Sequence, residues 1–94
     1  MRFADNPEHF SIREQFLSAH LQWLEQHQRS ILVAGSVRSE MDASPVGGVW
    51  IVEAGSKAEV ESLFLTDPFW LKGLRQSVEV LHWSKAHPNR KVPV

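Results

Sequence analysis

The chain has five histidines and no cysteine among its 94 residues. Without a thiol there is no disulfide, no thiolate nucleophile and no zinc–sulfur site. Any acid–base work falls to imidazoles and carboxylates. The stretch "IREQFLSAHLQWLEQH" spaces three basic side chains, Arg13, His20 and His27, seven residues apart. At about 100° per residue they form one line along a helix. On one side of it lie Ile12, Phe16, Ala19 and Trp23, and on the other Leu17, Leu21 and Leu24. A histidine with an ordinary pKa near ~6.5 can take or give a proton at neutral pH. Sheltered between apolar clusters, it is favoured as the neutral imidazole. His20 is therefore a candidate general acid/base, the plainer alternative being a core histidine bonded to a backbone carbonyl. Arg13 can anchor an anionic substrate, or pair with Asp5 or Glu8. His27 sits near the helix C-terminus, where the macrodipole favours a cation.

No metal is expected. One helix offers two ligands to an ion at i, i+3 or i+4, not at i+7, and His82 and His87 have no carboxylate at ligand spacing. Ser36 follows Gly35 at a strand end, where a glycine lets a ligand approach the backbone. Ser77 precedes the last strand, and either serine can donate a hydrogen bond. Neither stands in a nucleophile elbow. Phosphate loops and dinucleotide fingerprints are absent. A net charge of −1 gives no electrostatic reason to expect nucleic acid or an anionic membrane as partner.

The elements that must position these residues follow from the pattern. "RFA" (Arg2–Ala4) reads as a short strand stopped by the turn signal "DNP". A helix runs from about Phe10 to Gln28, and "SILVAGS" (Ser30–Ser36) is a strand. "VRSEMDASPVGG" is a loop, and "VWIVEA" (Val49–Ala54) a further strand. Ser56 caps a second helix over about Lys57–Leu65, with Glu59 as capping-box partner. Asp67 is a cap with Pro68 at the first helical position. "SVEVLHW" (Ser77–Trp83) is the last strand, and about 84–94 form an irregular extension of a single domain spanning 1–94. No apolar run approaches the ~20 residues of a membrane span, and "MRFADNPEHF" lacks a signal-peptide core. A cytoplasmic location is expected.

Strand, helix, strand, strand, helix, strand is the ferredoxin-like βαββαβ order, an α+β fold. Two helices cover one face of such an antiparallel sheet. Ile31–Ala34 and Val49–Val52 are apolar without alternation, so the second face also needs cover. A second copy, sheet against sheet, supplies it most simply. A homodimer is expected. Trp50, Trp70 and Trp83 either pack the core or line a pocket.

Taken together, "AHLQWLEQH", "ILVAGSV", "GGVWIVEAGSKAEVESLFLTDPFW", "KGL" and "SVEVLHW" resemble the YCII-related (YciI-like) family. The similarity covers about Arg2 to Trp83. Its markers are His20–Leu21, Gly35, and Asp67, Pro68 and Phe69 ahead of Gly73. The resemblance implies a ferredoxin-like protomer in a dimeric α/β barrel and an active site built on His20 and Asp67. Asp67 would fix the tautomer of His20 and stabilise the imidazolium, as in triad-type sites. Family members begin with a longer first strand, inside the sheet, whereas about three residues precede "DNP" here.

The expected function is cofactor-free proton transfer of lyase or isomerase type on a small organic molecule. The cleft would lie between the first helix and the "DPF" segment, with Arg13, Gly35, Ser36, Phe69 and Ser77 as substrate-binding candidates. The alternative is a non-catalytic small-molecule-binding or regulatory dimer using the same cleft.

Overall fold

The computed structural model describes residues 1–91 and 94. Four strands form one antiparallel sheet: β1 (Arg2–Asp5), β2 (Ile31–Val37), β3 (Gly47–Val52) and β4 (Arg75–Glu79), in the order β2-β3-β1-β4. The helices are α1 (Ser11–Gln26), α2 (Lys57–Leu63) and the single turn α3 (Pro68–Leu71), with short 3₁₀ turns at Pro7–His9 and Phe64–Thr66. This is the ferredoxin-like order. The first strand has only four residues but lies in the centre, paired to β3 on one side and β4 on the other.

Several boundaries move from their sequence-based positions, each for a local reason. The last strand was expected over Ser77–Trp83 but runs over Arg75–Glu79. Its pairing ends where Glu79 meets Arg2. At its start a bulge between Ala4 and Asp5 opposes Asp5 to Arg75, and Gly73, at φ +84°, makes the turn that admits the strand. The loop ends two residues early because Gly47 and Gly48 pair with Val37 and Ser36 as part of β3. The capping box is also shifted. Ser56 accepts from the Glu59 amide at 3.2 Å, but the Glu59 carboxylate reaches the amide of Gly55 rather than that of Ser56. No helix or strand occurs in the described part of the extension, 84–91 and 94, while Val92 and Pro93 of that extension lie outside the described residues.

Side chains alternate across the sheet. Phe3 and Trp50 face the helices and pack edge to face at 4.7 Å between ring centroids. With Trp23, Ile31 and Phe64 they make the core. The other face carries Val33, Val37, Val49 and Ile51, of which Val33 and Val49 are exposed, and Leu32 at the irregularity between Ile31 and Val33 is exposed too. No described helix is long and apolar enough to cross a membrane.

Candidate functional site

The buried face of α1 combines the basic line with Trp23 of one apolar cluster. His20 and Trp23 are its buried residues, Arg13 and His27 are half-buried, and Leu17 and Leu21 stay exposed. The surface under the helix explains this. Toward α1, the start of β3 presents Gly48, opposite Phe3 of β1, instead of a side chain. The space this leaves accepts polar groups from three other elements.

Asp67 is the first of them. It caps α3, its Oδ1 accepting from the Phe69 amide at 3.1 Å, as a carboxylate before Pro at N1 does. The same oxygen accepts a hydrogen bond from Nδ1 of His20 at 2.7 Å, with the carboxylate fully enclosed. That assignment puts the proton of a neutral imidazole on Nδ1. Nε2 then has no partner among the described residues and is not among the fully enclosed polar atoms. The ring lies flat on Phe69, 3.9 Å between centroids and 11° between planes, with Trp50 beyond it at 6.3 Å. His20 is thus fixed at one nitrogen, stacked on Phe69, and unpaired at the other nitrogen among the described residues.

The second group is a buried charge network. Asp5, pointing to the helix side of β1 beside Phe3, is fully enclosed and receives two arginines: Nη2 of Arg13 at 2.6 Å and Nη1 of Arg75 at 2.8 Å. Both guanidinium groups also lie 5.2 Å from the Phe69 ring centroid, and that of Arg75 lies 4.5 Å from Phe3. Burial pushes the pKa of Arg75 down, while the hydrogen bond and charge of Asp5, and the charge of Asp67, pull it back up. A guanidinium keeps its proton under such opposition. Gly48 makes room for this side chain, since a Cβ there would stand 3.4 Å from both terminal nitrogens of Arg75 and 3.2 Å from the Gly35 carbonyl.

A cavity of about 150 Å³ opens between α1 and the β2–β3 pair, lined by His20, Arg13 and Arg75, by Gly35 and Ser36, and by Leu17 and Leu21 at α1. Of the residues singled out in the sequence, the fold brings His20, Arg13, Gly35 and Ser36 to this cavity. It places Phe69 underneath as a fully buried plate rather than on the wall. Ser77 pairs with Ala4 on the opposite sheet face and is not brought to it. His27 bonds the Trp23 carbonyl at 2.7 Å and stacks on that indole, apart from the cavity. Among the described residues no group of histidines and carboxylates is placed to hold a metal ion. Arg75, and the bridging role of Asp5 that holds it, escaped sequence reading. Asp5 shares the buried face of β1 with Phe3, but the sequence places it in the "DNP" turn, and the cation that meets it comes from 70 residues along the chain.

A larger groove of about 790 Å³ lies at the other end of β3, bordered by Leu32, Val49, Leu81 and Trp83. Trp50 borders it too, but His20, Asp67, Asp5, Arg13 and Arg75 do not.

The model of the YCII-related domain matches residues 1–84. The chain belongs to the YCII-related family. No curated protein matches it. Among solved structures, the 5-chloro-2-hydroxyhydroquinone dehydrochlorinase TftG of Burkholderia phenoliruptrix AC1100, in complex with 2,5-dihydroxybenzoquinone, is similar: 30% identical, TM-score 0.78, covering 88% of this chain and 89% of its own.

Proposed function

We propose that this YCII-related protein is an enzyme that moves protons on a small cyclic or enolisable organic molecule, a reaction of lyase or isomerase type that needs no cofactor for its proton steps. The carrying observation is the His20–Asp67 hydrogen bond of 2.7 Å on a histidine that lines a cavity. Asp67 orients the imidazole and stabilises the imidazolium; Nε2 takes a proton from the substrate and returns one to the product. The likeness to a dehydrochlorinase supports the reaction class, since loss of HCl from a ring begins with removal of a proton. The cavity volume of about 150 Å³ suits one six-membered ring, as engineered cavities of ~150 Å³ hold benzene. Arg13, Gly35 and Ser36 line the binding surface in this reading.

The apolar side chains on the open face of the sheet support a homodimer as the working form. Exposed apolar area of this kind is otherwise costly. Sedimentation at micromolar concentration checks it: a monomer there would remove the dimer.

The test of the catalytic reading uses chlorinated hydroxyhydroquinones, following chloride release and the ultraviolet spectrum. Wild type turns over, and His20→Ala loses about a hundredfold or more in kcat while staying folded. Full activity in His20→Ala would refute the reading. A ligand bound tightly and recovered unchanged would favour the alternative, a binding module.

A further inference from the structure

The residue at this cavity that nothing so far has given work is Arg75. Its side chain is 2% exposed, an unusual place for a guanidinium, and it is held in one position. Asp5 takes Nη1 at 2.8 Å, Phe3 and Phe69 flank the plane, and the missing side chain of Gly48 leaves the space it occupies. Nη2 makes no hydrogen bond to a described residue, yet it is not among the fully enclosed unpaired atoms, and Arg75 lines the cavity. Asp5 cannot neutralise both of its partners, because Arg13 and Arg75 share its one negative charge. Asp67 supplies the second negative charge, and it already serves His20 and the cap of α3. With His20 neutral the cluster is balanced. Once His20 is protonated it carries one positive charge in excess. A fixed cation costs nothing to reorganise when charge develops beside it.

We propose that Arg75 is the oxyanion-binding residue of this site, and that the ligand is a single ring bearing an acidic oxygen, an enol, phenol or hydroxyquinone bound as its anion. The inference rests on the cavity being the ligand site and on the proton-transfer reading above. In the step it implies, a C–H or O–H bond of the ligand breaks and the proton passes to Nε2 of His20. The electron pair stays with the ligand as an enolate or phenolate whose oxygen faces Nη2 of Arg75. No electron leaves the pair, so no oxidant is needed. Leu17 and Leu21 at the cavity mouth suit the apolar edge of such a ring.

The experiment measures binding rather than turnover, by titration calorimetry on the full chain at neutral pH. Two probes of similar size are used: 2,5-dihydroxybenzoquinone, whose hydroxyls are vinylogous acids already ionised at neutral pH, and hydroquinone, which stays neutral. Wild type should bind the anionic probe at least tenfold more tightly. Arg75→Gln should lose roughly 10- to 100-fold toward the anion and little toward the neutral probe, and Arg75→Lys should recover part of the loss. Should Arg75→Gln fail to fold, the wild-type preference and the Arg75→Lys variant still decide. Equal binding of both probes by wild type, or an undiminished preference in folded Arg75→Gln, would overturn the proposal. The same titrations in His20→Ala separate the two readings. Arg75-dependent anion binding without turnover in wild type would sink only the catalytic reading, and turnover indifferent to Arg75 would sink only this one.

Discussion

Asp5 offers the sharpest test of how the site is held together. Its carboxylate is fully enclosed between Nη2 of Arg13 and Nη1 of Arg75, at 2.6 and 2.8 Å. Substituting Asp5→Leu leaves Arg75, 2% exposed at its side chain and already lacking a partner for Nε, as an uncompensated buried cation. Removing one partner of a buried pair costs about 3–5 kcal/mol. Arg13, 17% exposed at its side chain, can turn toward water, so its share is small and the lower part of that range applies. A loss of about 3–4 kcal/mol lowers Tm by roughly 12–30 °C in a domain of this size. Replacing the cation as well, in Asp5→Leu/Arg75→Met, removes the stranded charge and should restore at least about 2 kcal/mol. Urea unfolding followed by the fluorescence of the four tryptophans measures this, at one fixed protein concentration because association shifts apparent stability. If Asp5→Leu costs less than about 1 kcal/mol, or if Arg75→Met adds a further loss to it, the network is not the enclosed, mutually compensating set described above.

Three other outcomes are expected. Asp67→Ala removes the cap of α3 and strands Nδ1 of His20, costing about 2–4 kcal/mol by chemical denaturation; Asp67→Asn, which keeps an accepting oxygen, should cost less while still abolishing turnover. Phe69→Leu takes away the plate under His20 and the two guanidinium groups, costing about 1–2 kcal/mol, and should erase the upfield ring-current shift of the His20 ring protons in NMR spectra. Gly48→Val places a branched side chain where the Arg75 guanidinium lies, so anion binding should fall by roughly tenfold or more even where the variant stays folded, as read by circular dichroism and titration.

Much of the fold was legible because its signals are local. Helical periodicity marked α1, β-branched runs marked β2 and β3, and Ser56 and Asp67 announced helix starts as residues that cap amides two or three positions on. The apolar open face could be inferred because Ile31–Ala34 and Val49–Val52 fail to alternate. The end of β4 was not legible, since Val80–Trp83 have a good strand pattern yet lie beyond the last pair, Arg2 with Glu79. For the site, His20 stood out as a polar residue centred on an apolar stripe, and its pairing with Asp67 was available only through the family resemblance.

Residue types and spacing by themselves determined that α1 carries a line of basic side chains between two apolar clusters, with His20 the first candidate to face inward, and that a capping carboxylate starts α3. They also determined that two of the strands are too apolar for a solvated face. Only the tertiary structure decided that Asp5 of β1 opposes Arg75 of β4, and that one aromatic ring carries a histidine and two arginines. It also decided that Ser77 faces away while Gly35 and Ser36 face the cavity. The physical reason is range. Caps and helical faces are set by neighbours within a few residues, whereas strand register and the meeting of buried charges depend on which segments the whole sheet brings side by side.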